Sequence, residues 1–202
     1  NVIYAGDSAV KANVTAKSVG GKINLSKVDS ETGAVAQGDA ILKGAVYAVY
    51  NSVGNEIARL TIGDDLTAKT DYLDLGTYTI KEVGAPTGYN LSNETYTVTI
   101  TADNLNPVVQ VKDNVIKGNL EILKKLESTD YDSEINLSGA QFKIILKSDT
   151  TKVYYTNESG LDGICRVDNL PYGQYIVEEI TVPNSAFKVD NFEITISEDS
   201  RT

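Results

Sequence analysis

Short runs of alternating apolar and polar residues cover most of the chain: INLSKV at Ile23–Val28, TYTI at Thr77–Ile80, TVTI at Thr97–Ile100 and FEITI at Phe192–Ile196. A period of two puts one residue type on each face of a strand. Gly, Asn and Asp interrupt the runs at the spacing of turns in a β-sandwich. The pattern predicts strands over Lys22–Val28, Ala45–Asn51, Glu56–Thr61, Gly76–Val83, Thr95–Thr101 and Pro107–Asp113. It predicts a second set over Asn119–Leu126, Ala140–Leu146, Lys152–Thr156, Gly163–Val167, Gly173–Ile180 and Phe192–Ser197. Ala85-Pro86 and Val182-Pro183 should end the strands before them, since proline cannot continue a central ladder. Thr61–Thr70 carries some helical character and predicts a short helical turn. Gly44 and Gly139, matched in LKGAVY and LSGAQF, suggest a close backbone approach or a bulge.

The two sets are copies. GKINLSKVD from Gly21 answers GNLEILKKL from Gly118, and GTYTIKEV from Gly76 answers GQYIVEEI from Gly173. Lys27 to Lys124 is 97 positions, and so is Glu82 to Glu179. Alternation sets Lys27 beside Ile23 and Leu25, and Glu82 beside Tyr78 and Ile80. In the second copy it sets Lys124 beside Leu120 and Ile122, and Glu179 beside Tyr175 and Val177. An ionisable group on an apolar face is costly unless it is paired, neutralised or used in chemistry. Two matched pairs at one period call for such a use.

Composition narrows the chemistry. The 202 residues suffice for two domains of about 100 each, and 41% are hydrophobic. The expected division is 1–20 as a linker or a strand of a preceding unit, 21–117 as a first sandwich and 118–202 as a second. No apolar run reaches the roughly 18 residues of a membrane span. No start Met, signal peptide or sorting tail is seen, which reads as a piece of a longer chain. The net charge of −10 argues against a nucleic-acid partner. With no His and a single Cys, histidine catalysis, His/Cys zinc sites and an internal disulfide are excluded. Cys165 reads as a small buried hydrophobe. The turns at Asp64-Asp65 and Asp130–Asp132 do not follow a calcium-loop pattern, and no metal or cofactor is expected.

A lysine in the first strand, L-x-G-A near the second, and G-x-Y-x-[IV]-x-E followed by proline recur in order from Gly21 to the C-terminus. The first copy adds APTGY at Ala85–Tyr89. This set resembles the Cna-B, or SpaA-like, domains of Gram-positive surface adhesins and pilins. The resemblance implies an all-β fold of two tandem transthyretin-like, or inverse-Ig-like, sandwiches. It also implies a spontaneous Lys–Asn or Lys–Asp isopeptide bond assisted by a glutamate. Lys27 and Lys124 would be the amines, and Glu82 and Glu179 the assisting residues. The acceptor in such domains lies in the final strand, here VVQVKDN. Alternation puts Asp113 with Val109 and Val111 and puts Asn114 on the other face, so Asp113 is favoured; a bulge would select Asn114. The second copy's equivalent of Asp113 would fall beyond Thr202, so Lys124 is expected to have no acceptor and its sandwich to miss its last strand.

The chemistry has its own logic. Desolvation disfavours ammonium and carboxylate, so an enclosed lysine turns towards nucleophilic amine and an enclosed glutamate towards its acid. Such an acid can donate to a carbonyl and shuttle a proton, and folding supplies the proximity. This is one turnover on the chain itself, not enzyme action on a substrate. The implied role is a stalk segment of a secreted, cell-surface, wall-anchored adhesin or pilus protein, with neighbouring domains of that protein as partners. One alternative is a module whose loops bind a host surface protein or glycan. Another is a sortase-polymerised pilin subunit, although no YPK-like or LPxTG-like motif is visible.

Overall fold

The computed structural model describes residues 19–125, 136–183 and 187–197. Every regular element among them is a strand, and no helix is long and apolar enough to cross a membrane. In the first sandwich these are β1 (Gly20–Gly21), β2 (Asn24–Asp29), β3 (Val46–Tyr50), β4 (Glu56–Thr61), β5 (Thr67–Lys69), β6 (Leu73–Asp74), β7 (Gly76–Gly84), β8 (Thr95–Ile100) and β9 (Val108–Asp113). One sheet has the order β5-β2-β9 and the other β4-β3-β7-β8, with β1 and β6 forming a small antiparallel pair. Ile23, Leu25, Tyr47, Val49, Ile80, Ile100 and Val111 fill the space between them. All neighbours are antiparallel except β2 and β9, which run parallel in unbroken register from Asn24↔Val108 to Asp29↔Asp113. The first and last long strands of this sandwich therefore lie side by side.

The second sandwich has β10 (Lys117–Leu123), β11 (Gln141–Leu146), β12 (Val153–Tyr155), β13 (Ile164–Pro171), β14 (Gly173–Thr181) and β15 (Phe192–Ile196). Its four-stranded sheet, β12-β11-β14-β15, repeats the order of β4-β3-β7-β8. Its other sheet is β10 with β13, over a core of Phe142, Ile144, Leu146, Cys165, Leu170, Tyr175 and Val177. The G-x-Y motif has the same job in both copies. Tyr78 and Tyr175 donate their hydroxyl protons to the backbone carbonyls of Asp74 and Pro171, at 2.8 and 2.6 Å, and so pin the turn that precedes each strand.

Three sequence expectations change. No helical turn forms over Thr61–Thr70: Asp65 Oδ1 accepts the Thr67 backbone N–H, Leu66 takes a left-handed φ of 59°, and Thr67–Lys69 joins β2 as a strand. Gly44 and Gly139 answer a conformational demand, with φ of 91° and 87° and open space where a Cβ would stand, rather than a close approach. The register shifts come just after them, at Val46/Tyr47 and Gln141/Phe142. Gly20 pairs with Asp74, so the end of the 1–20 segment is already part of the first sandwich. The readings of residues 1–18 as a linker or strand, and of Asp130–Asp132 as a turn, lie outside the described residues.

The two sandwiches meet through a built joint. Tyr172 packs against Ala40, Leu42, Tyr89 and Val115 of the first. Its carbonyl accepts from Asp39 N (2.8 Å), and its N–H donates to Ile116 O (2.8 Å). Asp39 reaches back, accepting from Gln174 N at 3.0 Å and from the Ser148 hydroxyl. Gly88 of the APTGY loop is obligatory here: its φ is 82°, and a Cβ would stand 2.6 Å from Ala40 Cβ and 2.8 Å from Tyr172 Cδ1. Lys117 Nζ closes one side on the Glu31 carboxylate at 2.7 Å. Replacing Asp39 by Ala removes the side-chain half of this joint and is expected to cost about 1 kcal/mol. Equilibrium denaturation of the two chains measures it, and an unchanged midpoint would show the carboxylate to be idle.

Candidate functional site: a buried amine between carboxyl groups

β2 shows alternating burial, with Leu25, Lys27 and Asp29 inward. On β9 the inward residues are Val111 and Asp113, and on β7 they are Tyr78, Ile80 and Glu82. Because β2 and β9 are parallel, Lys27 sits opposite Val111 and diagonal to Asp113 on one face. Tyr47 on β3 is in register with Glu82 across the facing sheet. These placements bring Lys27, Glu82 and Asp113 into one cluster between the sheets, with no side-chain exposure at any of the three. Asn114 points outward and accepts the Ser30 hydroxyl proton at 2.6 Å. The β2–β9 ladder has no bulge that would turn it inward.

Lys27 Nζ lies against Asp113 Oδ2, 3.5 Å from Glu82 Oε1, and donates to the Tyr47 hydroxyl at 2.7 Å. Asp113 and Glu82 also lie within hydrogen-bonding reach of each other, and Glu82 within reach of the Tyr47 hydroxyl. The other Glu82 oxygen accepts from Ser92 N at 2.7 Å. Burial pushes the Glu82 carboxyl up to about 7; Asp113 beside it acts in the same direction, while the Ser92 N–H and Lys27 hold it back. Glu82 is thus poised to exist in both protonation states near neutrality. Burial, reinforced by Asp113 and Glu82, raises Tyr47 so that it stays a neutral phenol.

Sequence reasoning did not single out Tyr47, Asp29 or the Ser92 amide. Asp29 is 2% exposed and accepts from the Glu31 and Thr32 amides, Gln37 Nε2 and the Tyr89 hydroxyl. It fastens the APTGY loop to β2, two residues along from Lys27 and in register with Asp113. Its alternation with Lys27 was the signal that could have found it. Cys165 is buried and donates to Ala140 O at 3.3 Å, the environment of a packed thiol, and burial raises its pKa.

The second sandwich carries a related pair. Lys124 Nζ bonds both Glu179 oxygens, at 2.8 and 2.9 Å, and also the carbonyl of Phe187 at 2.9 Å. Val189 N donates to Glu179 just as Ser92 N does to Glu82. Phe142 stands opposite Glu179, where the first sandwich has Tyr47 opposite Glu82. Among the described residues, β10 pairs with β13 alone and no strand occupies the place of β9. No group of three or more His, Cys, Asp or Glu residues has an arrangement that would hold a metal, again among the described residues.

The SpaA prealbumin-like fold domain matches residues 21–115 and again residues 122–202. The chain belongs to this family. Among solved structures it is similar to the Bacillus anthracis TIE protein, at 28% identity and a TM-score of 0.71, covering 91% of this chain and 33% of that one. It is also similar to the pilus 2b backbone protein of group B streptococcus (25% identity, TM-score 0.41, covering 50% of this chain and 43% of that one). A third is the shaft pilin SpaA of Lactobacillus rhamnosus GG (15% identity, TM-score 0.39, covering 91% and 96%). The chain thus spans about a third of the TIE protein and under half of the streptococcal one. A comparison with curated protein sequences gives no match. The match is to paired SpaA domains, in keeping with the all-β tandem architecture.

Lys124 and Glu179 are 5% and 1% exposed, so removing one strands the other without water. Lys124→Met alone should cost about 3–5 kcal/mol. The double change Lys124→Met with Glu179→Leu should recover most of that loss. Urea denaturation of the three chains decides it, and equal stabilities for the single and double variants would contradict the coupling.

Proposed function

We propose that the chain is a structural stalk segment of a Gram-positive cell-surface adhesin or pilus protein, two SpaA modules in tandem, the first stapled by an isopeptide bond between Lys27 and Asp113. The observation that carries this is the buried contact of Lys27 Nζ with Asp113, beside a glutamate that burial keeps near neutrality. The step balances on the chain's own atoms. A proton passes from the Lys27 ammonium to the Asp113 carboxylate, leaving amine and acid. The amine nitrogen attacks Asp113 Cγ while protonated Glu82 stabilises the carbonyl oxygen. Glu82 gives its proton to the departing hydroxyl and takes one from the nitrogen. The C–N bond forms, the Cγ–OH bond breaks, one water leaves and Glu82 ends as it began.

Several features support this reading. Asp113 faces inward and Asn114 outward. The site is dry, with the side chains of Lys27, Glu82 and Asp113 wholly shielded from water. Reactant groups in contact on paired strands supply the proximity advantage of an intramolecular reaction. The product would join the two strands through which the chain enters and leaves the sandwich, so tension between its ends would bypass the strands in between. It would also restrict the unfolded chain, as a disulfide closing a long loop does. Lys124 and Glu179 are read as an ion pair that stays uncross-linked within these 202 residues. Neighbouring domains of the same protein are the proposed partners.

Intact mass spectrometry tests the bond. The wild-type chain should lack one water, and the deficit should vanish in Glu82→Ala and in Asp113→Ala. A deficit of one ammonia would move the acceptor to Asn114, and a full mass would remove the bond altogether.

The acid form of Glu82 is the active one in this scheme. With its carboxyl raised to about 7, the rate of bond formation should hold below that pH and fall as pH rises through it. Rates taken on refolding of chains captured unreacted, at several pH values, read this directly, and a rate that climbs through the same window would assign Glu82 the role of base instead.

A further inference from the structure

We infer that Tyr47 positions the Lys27 amine for attack, its hydroxyl holding one N–H so that the nitrogen lone pair is aimed at Asp113. This rests on the cross-linking reading above and adds a residue to it. Three groups surround Lys27 Nζ: the Tyr47 oxygen at 2.7 Å, Glu82 Oε1 at 3.5 Å, and the Asp113 carboxyl group in contact. An amine has two N–H bonds and one lone pair. If Tyr47 takes one hydrogen and Glu82 the other, the lone pair falls towards Asp113 Cγ. Without the hydroxyl the nitrogen can turn, and both hydrogens can face carboxylate oxygens while the lone pair points elsewhere.

Tyr47 is a rigid support for such a role. It is 1% exposed and sits on β3, paired with Leu60 on one side and Glu82 on the other. Nζ lies 5.3 Å from its ring centroid, so the ring also walls the amine in. The phenol keeps its proton, being raised by burial and by the nearby carboxyl groups. It therefore does not compete as an anion for the lysine.

The second sandwich separates the hydroxyl from the ring. Phe142 occupies the matched place, fully buried opposite Glu179, so a ring without oxygen fills this position in a folded copy. There Lys124 gives its hydrogens to both oxygens of Glu179 and to the Phe187 carbonyl. Such an arrangement holds an ion pair and leaves nothing to direct a lone pair. A hydroxyl is thus not needed to fill this place in the core, and its hydrogen bond with Lys27 is the feature particular to the first sandwich.

The test is Tyr47→Phe in the full 202-residue chain. Nascent wild-type and variant chains are captured unreacted in denaturant and refolded by dilution on both sides of the Glu82 midpoint of about 7. Folding is read by circular dichroism and bond formation by intact mass. The expected result is unchanged folding with a cross-linking rate lower by about 10- to 100-fold at every pH and an unmoved midpoint. A variant rate equal to wild type overturns the inference and leaves the cross-link standing. So does a variant that fails to fold, or one whose midpoint drops towards the ordinary carboxylate range, because either result assigns the hydroxyl to packing that keeps water out. A wild-type chain of full mass removes the reaction itself, and the inference with it.

Discussion

Enclosing one lysine amine between two sheets, against two carboxyl groups and a phenol, is the constraint around which the first sandwich is arranged. An isolated ion in such a place costs several kcal/mol after relaxation, so Lys27 is tolerable only where opposite charge is delivered to it. The parallel register of β2 and β9 delivers Asp113, the inward face of β7 delivers Glu82, and the register shift after Val46 sets Tyr47 beside Glu82. The Ser92 amide then fixes the glutamate from the loop that follows. Five separate parts of the chain have to be correct before the amine is enclosed: β2, β9, β7, β3 and the Ser92 loop. The site is therefore a product of the whole sandwich and of no single motif.

The two copies hold their buried lysines in different ways. Both bury a lysine near a glutamate that a backbone amide grips from the following loop. In the second copy the glutamate chelates the amine with both oxygens, and Phe187 supplies a carbonyl. In the first, Glu82 is held at 3.5 Å, Asp113 takes the near position and Tyr47 supplies the hydrogen bond. The four-stranded sheet is common; among the described residues the second copy has no counterpart of β9, and Phe142 stands where the first has Tyr47.

Much of this was legible in the sequence because strands have a period of two. That rule alone sends Lys27, Glu82, Lys124, Glu179 and Asp113 inward, and the structure buries all five. The rule has no way to mark Tyr47: a tyrosine between Ala45 and Val49 looks like core filling, and its contact with Lys27 lies in one oxygen atom. Asp29 obeys the same alternation as Lys27, yet its partners come from Gln37 and Tyr89, which sequence spacing does not bring near. Thr61–Thr70 carries only a weak local preference for helix, and pairing of Thr67–Lys69 with β2 overrides it. Asp39 and Tyr172 became important only when two sandwiches met, a contact no local pattern encodes.

The parallel neighbours β2 and β9 have a further consequence for how the chain matures. A hairpin can close as soon as its second half exists, whereas this ladder must wait for the entire intervening sandwich. A chain that emerges vectorially, amino end first, holds its amine open until the last strand arrives. Connectivity thereby keeps the proposed cross-link from forming in an incomplete sandwich. Under that proposal the bond would act as a receipt for completed assembly: issued once, never early, and never to a misthreaded sandwich.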